Sequence, residues 1–110
     1  MKEEGAGSVL GVAVTGAVVA AFVLVAPLAV LLVAAHRAAA AADAAALAAG
    51  ATALGLAVGV PCERAAEVAR SSGAELASCR QHGDLVRVRA VVEALGLPLG
   101  ADAVAGPSTG

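Results

Sequence analysis

The feature that most constrains this chain is where its charges are not. Lys2, Glu3 and Glu4 open the sequence, and the next ionisable residues are His36 and Arg37. Gly5 to Ala35 is therefore an uncharged stretch of 31 residues, nearly all Val, Ala and Leu from Val9 onward. A spanning helix needs about 20 apolar residues. At about 1.5 Å per residue this stretch reaches roughly 40 Å, enough to cross a bilayer with tilt or to project beyond it. The expectation is a transmembrane helix over 8–35, preceded by a cytoplasmic leader at 1–7. A cleaved secretory signal fits less well. Such signals have a basic start and about 7–15 apolar residues, whereas here one Lys stands beside two Glu and the apolar run is about twice that length.

Composition narrows the function classes. The hydrophobic residues make up 60% of the 110, the charged ones 15%, and Phe22 is the one aromatic. Alanine supplies 32 positions and valine 17. So apolar a chain is not disordered. With no stacking platform and no basic stripe, it does not suit nucleic acid. A formal charge of -2 provides little steering for a charged partner.

Within the apolar run, Ala13, Ala17 and Ala21 recur every four residues, as do Gly7 and Gly11. Small residues at that spacing let helices approach closely in lipid, although an Ala-rich chain also produces it by chance. Pro27 removes one backbone donor deep in the run and should bend or loosen the helix there. No acid, base or amide lies in the span, which argues against an ion pathway.

Beyond Arg37 the chain is almost pure alanine to Ala49, broken by Asp43 and Leu47. Alanine's helix propensity predicts that the helix continues. Gly50, Gly55, Gly59 and Pro61 then weaken and end it, so 36–60 reads as an Ala-rich helix followed by a Gly-rich loop. A second span over Ala44–Val60 is the rival reading. At 17 residues it is short, and drawing Asp43 to mid-bilayer would cost about 2.5–3.5 kcal/mol.

From Pro61 the chemistry becomes that of a small α+β module, expected over 61–105. Pro61 suits a first helical turn. Cys62, Ala65, Ala66 and Ala69 make one apolar helical face, Glu67 and Arg70 are spaced to pair, and Gly73 is placed to stop the helix. Strands are predicted at Ala74–Arg80 and Leu85–Val92 around a turn at Gln81-His82-Gly83-Asp84. In the second strand Val86, Val88, Ala90 and Val92 should face a core while Leu85, Arg87, Arg89 and Val91 face outward. A third, short strand near Ala101–Ala105 is a weaker expectation, and 106–110 should be a loose tail.

Helix, turn and antiparallel return could bring Cys62 and Cys79 together. A bridge closing such a loop contributes roughly 3 kcal/mol, which matters for so small a core. Two free thiols are an alternative. A metal site with His82 is another, but it lacks a fourth ligand. A disulfide implies an oxidising, extracytoplasmic compartment. Ser71 and Ser72 have no base beside them, and no Gly-rich phosphate loop occurs, so neither an enzyme nor a cofactor is expected.

Several of these segments together carry a resemblance. They are Glu4-Gly5-Ala6-Gly7-Ser8-Val9-Leu10, the uncharged helix with Val25-Ala26-Pro27, and His36-Arg37 followed by Ala40–Ala48 with its Asp43. The pair Cys62 and Cys79, with Gly73, Ala74 and Leu76 between them, completes the set. Over roughly residues 5–106 the chain resembles the TadE/TadG-like small pseudopilins, especially the short Ala-rich TadE-like proteins of high-GC Gram-positive bacteria encoded near secretion genes. The resemblance implies a minor subunit or assembly component of a tight-adherence (Flp, type IV-like) pilus. It would sit in the plasma membrane with its N-terminus inside and its module outside, among other pilin-like subunits. It also implies cleavage by a prepilin peptidase after Gly7, leaving Ser8 as the new terminus. The chain departs from that pattern at Val12, where pilins commonly carry an acid that aids docking. A small single-pass adaptor or regulator of another membrane protein is the alternative.

Overall fold

The computed structural model describes residues 2–107, with only the backbone of 2–6. The order is helix α1 (Lys2–Ala53), helix α2 (Pro61–Ser71), and strands β1 (Glu75–His82), β2 (Leu85–Ala94) and β3 (Leu97–Ala105). This is the expected α+β layout. Met1 of the leader and residues 108–110 of the tail lie outside the described residues. The chain forms two compact units, divided within α1 after Val30.

The first unit is α1 up to Val30. Its large side chains are all solvent-facing, from Val9 at 70% exposed to Leu28 at 64%. The helix runs through Pro27 without interruption. Among the described residues it is the one helix long and apolar enough to cross a membrane, which is compatible with a single-pass membrane protein.

The second unit begins at Leu31. Its core is built from small residues. Ala34, Ala38, Ala41, Ala42, Ala45, Ala46 and Ala49 of α1 join Ala65 and Ala69 of α2, and the inner sheet face supplies Val86, Val88, Ala90 and Val92. Contact is close enough at Gly50 that a Cβ there would stand 2.9 Å from the Ala105 Cβ. Thr52 is the buried polar residue of the described chain, and its hydroxyl donates to Ala48 O at 2.9 Å.

Both helices end on the same device. In α2, Gly73 N–H donates to Arg70 O and Ala74 N–H to Ala69 O, with Gly73 at φ 81. This pair of bonds is a Schellman cap, which needs a left-handed residue and so favours glycine. In α1, Gly55 N–H to Thr52 O and Leu56 N–H to Ala51 O repeat it. The Gly-rich segment therefore begins with an ordered stop.

The sheet order is β1-β2-β3, all antiparallel. The β1–β2 turn is the two residues Gly83-Asp84, tighter than the four-residue turn read from the sequence. The third strand is nine residues, not the short Ala101–Ala105 segment expected, and it pairs with β2 from Val86↔Ala105 to Ala94↔Leu97. Pro98 is tolerated because β3 is an edge strand. The β2–β3 turn is Leu95-Gly96, with φ 53 and 75. Both central residues are left-handed, the type I′ pattern that Asn-Gly or Gly-Gly usually fills. Leucine there carries a steric cost of roughly 1–2 kcal/mol.

Candidate functional site

In the first unit the residues of interest lie along the bare helix. Gly7 and Ser8 are exposed and helical, and nothing lies within 4 Å of where a Gly7 Cβ would be. Ala13, Ala17 and Ala21 are exposed on adjacent turns. Pro27 is also exposed. Val12 is 73% exposed. Ser8, Gly11, Val12, Thr15 and Gly16 border a shallow groove. The chemistry on offer along Val9–Val30 is a surface of methyl groups and small residues, able to pack against lipid or another helix.

In the second unit the organising feature is the disulfide. Cys62 and Cys79 are bonded, with their Cα atoms 5.7 Å apart. Cys62 lies in the first turn of α2, after Pro61. Cys79 reaches it through a feature that the sequence pattern does not reveal. Leu76 pairs with Ala90 but Ser78 pairs with Arg89, so Ala77 is an extra residue in β1. A bulge of this kind shifts the alternation by one. Leu76 and Cys79 therefore both face inward, against Ala90 and Val88. Strict alternation from Leu76 would have turned Cys79 to the wet face, away from α2. A run such as Leu76-Ala77-Ser78-Cys79, with two inward residues three apart, is the only trace this leaves in the sequence.

With both sulfurs in one bond, neither is a thiolate ligand or a nucleophile. His82 lies on the outer sheet face, which Ser78, Arg80, Leu85, Arg87 and Val104 share as the lining of an open depression. Arg80 and Arg87 stand directly opposite each other across β1 and β2. Arg89 donates to Asp102 at 3.2 Å from β2 to β3, and both are about half exposed. Pairs at that exposure contribute little. On α2 it is Arg64, not Arg70, that bonds Glu67, at 3.0 Å. Arg70 instead lies toward the Ala66 carbonyl at 3.4 Å. Ser72 donates its hydroxyl to Val68 O, so it is part of the helix end.

The organised features are thus an exposed apolar helix and a stapled module with a solvated outer face. No family model, curated protein or solved structure matches this chain.

Proposed function

We propose that this chain is a minor pseudopilin or assembly component of a tight-adherence (Flp, type IV-like) pilus or a related secretion system. In this reading it is a non-catalytic structural subunit anchored in the plasma membrane by α1, with its N-terminus in the cytoplasm. The observation that carries it is the bare stretch of α1 from Val9 to Val30, uncharged and exposed throughout, in a chain whose other organised part is held by a disulfide. Such a helix needs lipid or neighbouring helices around it. The disulfide supports an extracytoplasmic location for the module. Its partners would be other pilin-like subunits and a prepilin peptidase acting between Gly7 and Ser8.

Mass spectrometry of the protein recovered from membranes tests this directly. The expected species begins at Ser8 and is two hydrogens lighter at its cysteine pair. An uncleaved N-terminus together with reduced cysteines would reject it.

One observation favours a second reading. Val12 offers no carboxylate for subunit docking, so the small-residue face of Ala13, Ala17 and Ala21 could instead bind one membrane partner as an adaptor. In that case Ala17→Leu and Ala21→Leu abolish recovery of the partner while cleavage at Gly7 is absent.

A further inference from the structure

Leu95 breaks the pattern of the other turns. Gly55, Gly59, Gly73, Gly83 and Gly96 hold the remaining left-handed positions, and Leu95 is the one non-glycine with positive φ among the described residues. Nothing within the module compensates, because Leu95 is 60% exposed and Leu97, two residues on, is 51% exposed. From Ala94 to Ala101 there is no charged residue, and Pro98 and Gly100 are also exposed. An apolar turn held in a disfavoured conformation and aimed at solvent is a reason to look for what it touches.

Its position in the second unit answers that. Gly50 meets Ala105, so β3 ends beside the C-terminal part of α1. A Cβ at Gly73 would stand 3.6 Å from the Arg37 Cδ, so β1 starts beside Arg37. Glu75 pairs with Val91, and β2 runs on for three more residues to Ala94, about 10 Å. Leu95 and Leu97 therefore stand at the level of Arg37 or beyond it, toward Leu31. Burial of Ala34 in the same core as Val92 puts the sheet over that segment. This is also where Leu32 and Val33, 72% and 59% exposed, give way to His36 and Arg37.

We propose that the Leu95–Leu97 turn is an interfacial foot. It seats its two leucines in the headgroup–acyl boundary of the bilayer that α1 crosses, beside Arg37, whose guanidinium faces lipid phosphate. The inference rests on reading α1 as a membrane span. Lipid is the occupant because the turn is exposed and apolar at the level along α1 where the exposed apolar surface of Leu32 and Val33 meets the first charges. It also lacks the aromatic anchor around which a protein interface is usually built.

The chain has no Trp and no Tyr, so one introduced indole reports its own surroundings. Leu97→Trp, Phe22→Trp and Val58→Trp full-length proteins are reconstituted separately in phosphatidylcholine–phosphatidylglycerol vesicles. Each is read with lipids carrying a nitroxide either near the headgroup or deep in the chain. The expected result is that Leu97→Trp emits to the blue and is quenched most by the shallow label. Phe22→Trp should be quenched most by the deep label, and Val58→Trp, at a fully exposed loop position, by neither. Quenching of Phe22→Trp without quenching of Leu97→Trp overturns the foot and leaves the span standing. If the unquenched Leu97→Trp emission is nevertheless blue, the turn is covered by protein instead. Loss of quenching at Phe22→Trp as well overturns the span and the foot together. Adding Leu95→Asn to Leu97→Trp should raise the melting temperature by relieving the turn yet weaken the shallow quenching. Undiminished quenching would remove Leu95 from the contact.

Discussion

The two halves of α1 share one helix and almost one composition, yet they use side-chain size in opposite ways. From Val9 to Val33 the large residues other than the half-buried Leu31 are outside, with Leu24 71% and Leu32 72% exposed. From Ala34 to Ala53 the small residues are inside, with Ala38, Ala41, Ala42 and Ala45 all at 0%. The second half has a buried face and an exposed one, but alanine lines both, with Ala35, Ala39 and Ala40 on the outside. Transfer out of water scales with apolar area, so Val and Leu are the residues to present to lipid. Close approach to a sheet instead rewards the smallest side chains, as Gly50 against Ala105 shows. Helical surfaces can thus be sorted by volume when polarity is withheld.

The largest expected effect comes from removing what holds the second half's packing in place. Cys62→Ala with Cys79→Ala should cost the module about 2–5 kcal/mol. Hydrogen exchange at Ala38–Ala49 should then rise toward the rate of a helix that packs against nothing. Unchanged protection there would mean that the alanine face is held without the staple. Next comes Leu24→Arg, which puts a charge near the middle of the apolar half and should cost about 2.5–3.5 kcal/mol of insertion. Membrane fractionation reads it, and the matched Leu47→Arg in the other half should fractionate as the wild type does. If both variants fractionate alike, the two halves do not differ in what surrounds them.

The third test adds the same three carbons to each half. Ala45→Leu overfills a 0%-exposed position and should destabilise by about 1–3 kcal/mol in urea unfolding. Ala21→Leu adds that bulk to an exposed position and should leave the module's unfolding midpoint unchanged. Equal shifts would contradict the assignment of inside and outside.

What can be read from residues alone follows from the same contrast. The bare half is legible because 31 consecutive residues without a charge exceed the length a bilayer requires, and a water-facing helix of that length would carry charges on its wet side. Likewise, the alternation of Val86, Val88, Ala90 and Val92 identifies the inner face of β2 by pattern. The buried face of Ala34–Ala53 is invisible to that method, because alanine on every side of a helix has no period to detect. In β3, Leu95-Gly96 is not a recognisable turn pair, and Pro98, Gly100 and Asp102 dilute the strand pattern, so only the end of the strand can be anticipated. The disulfide can be proposed from Cys62 and Cys79, but the Ala77 bulge that turns Cys79 inward cannot, since one extra small residue carries no polarity signal. Glu67 has a basic residue three positions away on either side, and spacing alone does not choose Arg64 over Arg70.

The smallest effect is the most discriminating. Leu47 is the one large residue in the alanine tract and is 69% exposed, next to Ala46 at 2%. Ordinary burial logic would treat this leucine as the core residue and the alanine as filler, so Leu47→Ala should then cost several kcal/mol, as buried leucines do. Sorting by size says the reverse. Leu47→Ala removes nothing from the packed face and replaces one good helix former with a better one, so stability should move by less than about 0.5 kcal/mol. Ala46→Leu, one residue earlier, should cost about 1–3 kcal/mol. Urea midpoints for these two variants in the reconstituted full-length protein decide between the two logics, because they predict opposite orders.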